Sequence, residues 1–326
     1  MRKVTHAFYN GKDLLLEDFA NMYATLEVPN GKFKFSSIKK KIGNFARCYS
    51  DEKSDFLDYI YSKFEDILQL QPRGLEKIMH EIGDKFSKNL LFNWEENKQT
   101  DFGAEIEELF SFNRFRQTSK AFLWAQCLNL RTCLYCNCQF TFSIVTENSK
   151  RKLMFEVDHF YPKNKYPYLS LSFYNLIPCC ANCNRAKSDI DFNLKNSVHP
   201  YLEDFNNLIK FKPSNTDVLH FLIFKEERKN IKIEIDFKNN KVEKHLSTFK
   251  LKEVYNFHQD LVEEIFLKRY YYDPTTMRIL SEQFKDIISE DTVKRFILGN
   301  YHRDEDINKR PLAKLTKDVA KSIGLI

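Results

Sequence analysis

The stretch "FEVDHFYPKNKYPYLSLSFYNLIPCCANCNRAKSD", residues 155–189, decides how this chain is read. It sets Asp158 beside His159, then two asparagines, Asn175 and Asn184, with adjacent thiols between them, and finally Lys187. Residues 153–160 read as a strand with Asp158 and His159 near its end. Neighbouring strand residues point to opposite faces, but before Pro162 the backbone can turn and aim both groups at one cleft. A second extended stretch, "LSLSFYNLIP", follows. "CANCNRAKSD" then opens a helix, whose spacing puts Asn184 and Lys187 on one face.

Six of the eight cysteines fall between Cys133 and Cys183. "CLYC" supplies Cys133 and Cys136, and "CANC" supplies Cys180 and Cys183, two C-x2-C pairs of the spacing that presents four thiolates to one tetrahedral ion. A structural Zn2+ is expected, closed to catalysis because four sulfurs leave no open position. A redox dithiol is the competing reading, disfavoured because nothing nearby resembles a thioredoxin-type βαβ unit. Cys138 and Cys179 are spare, and Cys48 and Cys127, in helical stretches, read as buried inert thiols. So small a loop buries too little apolar surface to be stable alone, so the ion's binding energy becomes folding energy.

Outward from the motif the chain reads as mainly α with a small α+β insert. Its 326 residues carry 43% hydrophobic and 15% aromatic side chains but only eight Gly and nine Pro, too few turns for an all-β sandwich. Residues 54–70 place Phe56, Leu57, Ile60, Phe64, Ile67 and Leu68 on one helical stripe, with Ser54 as a possible N-cap. Residues 72–91 and 104–112 read likewise. Residues 231–237, "IKIEIDF", alternate as a strand, with Asn239 and Asn240 offering a hairpin turn. Residues 251–272 return to helix, stopped near "DPTT", and residues 310–324 close with a helix between Pro311 and Gly324. The expected organisation is a helical region, 1–125, a small α+β region held by the two thiol pairs, 126–200, and a mostly helical region with a short hairpin, 201–326. No apolar run is long enough for a signal peptide or a membrane helix, which suggests a cytoplasmic protein with no membrane partner.

Net charge is +6. Residues 1–130 balance at zero, residues 131–189 carry +4 and the remainder +2, so the surplus sits with the motif and suits a polyanionic partner.

The central stretch resembles the HNH endonuclease motif, a ββα-metal fold embraced by a zinc knuckle. The resemblance implies Asp158 as the metal carboxylate, His159 as the general base, Asn175 as a brace of the loop and Asn184 as the second metal ligand, where that family often has histidine. An amide oxygen beside a carboxylate suits a hard ion, so Mg2+ (or Mn2+) is expected at the reaction centre. Phosphodiester hydrolysis needs an activated water and charge relief on the leaving oxygen. Neutral His159 can take the proton, the metal can act as a Lewis acid, and Arg185 and Lys187 can neutralise flanking phosphates. His199, before Pro200, reads as a packing or turn element.

Beyond this window an opening "MRKV", "RTCLYCN" and "HPYL" are similar to HNH nucleases of bacterial anti-phage systems, notably Septu-type and some retron-associated loci. That narrower resemblance implies DNA as substrate and a PtuA-like ATPase partner that docks on and restrains the nuclease. Two alternatives stand beside it: a catalytically silent zinc-stapled DNA-binding or adaptor module, and an RNA-cleaving or toxin-like nuclease with the same centre.

Overall fold

A computed structural model describes residues 1–26, 28, 31–224 and 231–326. Where the sequence suggested three consecutive regions, 1–125, 126–200 and 201–326, the packing gathers two compact units. One comprises residues 4–130 and 142–202, the other residues 1–3, 131–141 and 203–326.

The first unit opens with a hairpin, β1 (His6–Tyr9) and β2 (Lys12–Leu15), whose turn residues Asn10 and Gly11 both have positive φ. Two such residues match the right-handed twist of a hairpin. Helices α1 (Leu16–Tyr23), α2 (Phe35–Ala46), α3 (Glu52–Ser62), α4 (Phe64–Gln69) and α5 (Pro72–Lys85) follow. The stripe expected over residues 54–70 is buried throughout. Its helix nevertheless breaks at Lys63, and the N-cap is Asp51, whose carboxylate accepts from the Lys53 amide, rather than Ser54. Short strands β3 (Phe92–Asn93) and β4 (Lys98–Gln99) lead to α6 (Asp101–Phe110), capped by Thr100. Gly103 in its first turn is required by a close approach, since a Cβ there would lie 2.1 Å from the Leu91 carbonyl oxygen. Ser111, at φ +52°, turns the chain sharply into α7 (Phe112–Arg116), and α8 (Ser119–Leu128) completes the helical part.

The same unit holds a hairpin of β5 (Ser143–Val145) and β6 (Arg151–Leu153), followed by the antiparallel pair β7 (Glu156–His159) and β8 (Leu176–Cys179) and by α9 (Ala181–Lys187). In the β7–β8 register Asp158 faces Ile177 and His159 faces Leu176. Of the stretch read as one extended segment, residues 169–178, the last three are extended, in β8, while the 3-10 turns Pro167–Leu169 and Phe173–Asn175 take up its start and middle. Proline at the first position of a turn, with its fixed φ, favours that compact path over an extended one.

In the second unit, β9 (Ile209–Pro213) pairs antiparallel with β10 (Ile233–Phe237), and the helices are α10 (Phe205–Leu208), α11 (Asn215–Phe224), α12 (Asn240–Thr248), α13 (Leu251–Asn256), α14 (Gln259–Tyr271), α15 (Pro274–Phe284), α16 (Glu290–Leu298) and α17 (Ala313–Ser322). The hairpin expected to turn at Asn239–Asn240 does not form there. Asn239 caps α12 by accepting from the Val242 amide at 3.1 Å, because the Asx geometry that makes a turn serves equally as an N-cap. The helix expected over residues 251–272 is divided between α13 and α14, and Asp273 caps α15, with Pro274 at its first position, rather than ending helical structure.

Residues 131–141 form a knuckle closed by a Thr132–Phe140 bridge, with Asn137 at φ +54°. The Asn137 carbonyl accepts from the Leu312 amide (2.7 Å), its side-chain oxygen from the Lys314 amide (3.2 Å), and its side-chain nitrogen donates to the Ile307 carbonyl (3.0 Å). His245 Nε2 donates to the Tyr135 carbonyl and the Tyr255 hydroxyl to the Cys136 carbonyl. The C-terminal helices thus cradle the first thiol pair. Among the described residues no helix is long and apolar enough to cross a membrane.

Candidate active site

His159 ends β7 and is 6% exposed. Its Nε2 lies 3.0 Å from the Ser170 carbonyl oxygen. A carbonyl can only accept, so the proton sits on Nε2, and Nδ1 keeps its lone pair with no hydrogen bond to a described residue. Phe112 packs edge-on to the imidazole, ring centres 4.3 Å apart, and fixes its plane. Burial holds the imidazole down to about 3, opposed by the Ser170 bond and assisted by Lys163 and Lys187, so His159 is neutral across the physiological range. A phosphate anion beside it would favour the imidazolium and raise its basicity.

Asp158 is 4% exposed and touches Lys187, whose Nζ lies 3.3 Å from Oδ1 and 3.2 Å from Oδ2. Lys187 is fully buried, donates also to the His159 carbonyl at 2.6 Å and sits over the Phe192 ring. Its expected role on flanking phosphates is therefore replaced by another: the ammonium ties α9 to the end of β7 and balances the buried carboxylate. Arg185, on the other side of the helix, is exposed and, among the described residues, bonds only Asn182 (2.8 Å), so its charge faces solvent. Asn184, one helical turn before Lys187, is half-buried, and its side chain bonds to no described residue.

Asn175 is fully buried and clamps the β7–β8 connection from inside. Its Oδ1 accepts from the Tyr161 amide (2.7 Å), and its Nδ2 donates to the carbonyls of Tyr161 (3.2 Å) and Leu169 (2.9 Å). All its side-chain atoms are engaged with backbone, so it acts as a positioning residue that holds the loop carrying Ser170. His199 is packed against Phe160, ring centres 4.2 Å apart, and accepts from the Tyr201 amide.

The sulfurs of Cys133, Cys136, Cys180 and Cys183 lie within 4.8 Å of one another, all buried. A tetrahedral Zn2+ with bonds of about 2.3 Å needs sulfurs roughly 3.8 Å apart, so the set fits with a small contraction. The Cys138 amide points at Cys136 Sγ and the Cys183 amide at Cys180 Sγ, each at 3.4 Å, and Cys180 caps α9; both features favour thiolates. Cys138 instead donates its thiol to the Cys136 carbonyl. Cys127 is buried, its thiol pushed up to about 11, whereas Cys48, expected to be buried, is exposed just past α2.

Several residues around His159 carry no motif signal. Phe112 reaches the imidazole only through the tight corner at Ser111, and Ser170 acts through its backbone. An open depression of about 400 Å3 borders Phe112 and is lined by Arg114, Lys163 and Glu107; Lys163 pairs with Glu107 at 2.5 Å, while Arg114 is exposed with no ion pair among the described residues.

A short antiparallel strand pair, a following helix and a buried four-thiol set define the class of this region: residues 133–189 form an HNH endonuclease domain and match the family model described as HNH endonuclease. Among characterised proteins, the Septu protein PtuB of Bacillus thuringiensis is 36% identical over 78 residues. That match covers 24% of this chain and 27% of the relative, about a quarter of its length. No solved structure matches the chain.

Proposed function

We propose that this protein is a metal-dependent endonuclease that hydrolyses phosphodiester bonds in DNA and serves in bacterial anti-phage defence. The observation that carries the catalytic reading is the tautomer of His159, fixed by the Ser170 carbonyl so that Nδ1 is an unprotonated acceptor. A divalent ion, Mg2+ or Mn2+, would be held by Asp158 with Asn184, an all-oxygen donor set in which the Asn184 amide has no partner among the described residues and Asp158 already meets Lys187. When bound, that ion supplies Lewis-acid stabilisation of the leaving 3′-oxygen and the phosphoryl oxygens.

The remaining steps belong to this chain. His159 Nδ1 takes a proton from the attacking water while Nε2–H stays on the Ser170 carbonyl, and the imidazolium so formed is stabilised by the adjacent phosphate charge. Phe112 and Asn175 keep the ring and its loop in place. Arg185 and Arg114 offer exposed charge to flanking phosphates. Zinc at Cys133, Cys136, Cys180 and Cys183 holds the fold and takes no part in the chemistry. The partial likeness to the Septu protein supports the defence role and, with it, a PtuA-like ATPase as partner.

The test is nicking of a supercoiled plasmid with Mg2+ and with EDTA, by the natural protein and His159→Ala, repeated on single-stranded DNA and RNA. Cleavage that needs the metal and falls about 10²–10⁴-fold in the variant is expected. An undiminished His159→Ala would refute the mechanism, and cleavage confined to RNA would refute the substrate.

A further inference from the structure

Residues 28–50 contain six Lys and Arg and no Asp or Glu, a local +6 concealed in a region whose overall charge is zero. Residues 34–47 of this run form α2 with its flanking cap positions, one wall of an open groove of about 1350 Å3 in the first unit. Such a volume exceeds the roughly 300–1,000 Å3 of small-ligand sites and suits a polymer. Lys34, Lys40 and Arg47 line it, exposed and without ion pairs among the described residues, while Lys39 is already neutralised by Glu65 at 2.7 Å. Asp58 is the other carboxylate in the lining.

The groove also carries an aromatic platform. Tyr61 is 42% exposed; its ring lies against α2 where residue 43 is glycine, a Cβ there sitting 3.1 Å from the ring, and Lys39 Nζ stands over it, 5.0 Å from the centroid. The wall residue Phe35 is linked to the reaction centre by successive ring contacts, Phe35–Phe115 at 6.0 Å, Phe115–Phe112 at 6.4 Å and Phe112–His159 at 4.3 Å. A cationic track beside an exposed ring suits a strand whose bases are unstacked, because a duplex hides its base faces.

We infer that this groove binds a single-stranded segment of the nucleic acid being cut, with Lys34, Lys40 and Arg47 on its phosphates and the exposed edge of Tyr61 against a base. The inference rests on the phosphodiesterase reading above and adds the form of the substrate. Binding is measured apart from cleavage, using His159→Ala protein and fluorescein-labelled 20-nucleotide single-stranded DNA, single-stranded RNA and duplex DNA, by anisotropy over a range of salt.

Single strands of either sugar should bind more tightly than duplex. Adding Lys34→Ala, Lys40→Ala and Arg47→Ala should lower the slope of log affinity against log salt by about 2, since each single-strand phosphate contact contributes about 0.7. Tyr61→Ala should weaken single-strand binding about tenfold and leave that slope unchanged. Equal or tighter duplex binding, or an unaltered slope in the triple variant, would overturn the assignment. Hydrolysis of bis(p-nitrophenyl) phosphate, which is too small to use the groove, should be equal in the natural protein and the triple variant; its absence in both would count against the catalytic centre and leave the binding result standing.

Discussion

Replacing Lys187 with methionine separates two roles for one side chain. The ammonium is fully buried, spans both oxygens of Asp158 at 3.2–3.3 Å and donates to the His159 carbonyl at 2.6 Å. Lys187→Met keeps the length of the stem but removes the charge from a carboxylate that is 5% exposed. Breaking a buried pair from one side costs about 3–5 kcal/mol, which corresponds to a fall of roughly 6–20 °C in Tm for a unit of this size. Removing both charges, in Asp158→Asn with Lys187→Met, should recover at least half of that loss, the mark of a coupled pair in a double-mutant cycle. If Asp158 holds the divalent ion as proposed, Mg2+ should partly rescue the single variant, since the cation would replace the missing charge. Thermal unfolding with and without Mg2+ measures the natural protein, Lys187→Met, Asp158→Asn and the double variant. A Lys187→Met protein that loses under about 1 kcal/mol yet binds DNA more weakly would refute the buried-pair argument and return Lys187 to the phosphates.

Other consequences are as direct. Asn175→Ala leaves the Tyr161 amide and the carbonyls of Tyr161 and Leu169 without their partner, so stability should drop by about 3 kcal/mol in urea unfolding and cleavage should fall with it as Ser170 loosens; a stable, fully active variant would remove the clamp from the account. Elemental analysis should find one zinc per chain, and chelation or Cys136→Ser should lower Tm by on the order of 10 °C. Burial holds His199 at about 3 and His245 at about 4, below the usual 6.5, so both stay neutral in the fold while the unfolded chain takes up protons. Their contribution is complete above about pH 6.5 and is lost as pH falls toward those values. Between about pH 4 and 6, His245→Asn should lower the slope of unfolding free energy against pH by about 1.4 kcal/mol per unit, one proton's worth, and an unchanged slope would contradict its burial as a neutral ring.

The motif and the thiol pairs were legible because their information is local: C-x2-C spacing, Asp beside His, Asn and Lys three apart on a helix. The helical stripe through Phe56, Ile60, Phe64 and Ile67 was legible from its period, and its burial follows. What could not be read depends on distant chain. Lys187 lies on the same face as Asn184 whether it meets solvent or a carboxylate, and only the arrival of β7 decides. Asn239 has the same chemistry in a turn as in a cap, so the partner of β10 had to come from residues 209–213, far upstream. Phe112 and Ser170 contribute a ring and a carbonyl, groups present throughout the chain. The cationic run along α2 was hidden by averaging charge over residues 1–130.

The knuckle at residues 131–141 has a consequence for synthesis. Asn137 finds its partners 170 and 177 residues downstream, at Ile307 and Lys314. A ribosome must therefore translate well past the whole catalytic motif before the first pair of thiols is seated. A chain cut short before residue 307 would lack the partners of Asn137 and leave the first thiol pair without its cradle. Contacts that lie so far downstream delay completion of the knuckle until the helices that cradle it have been made.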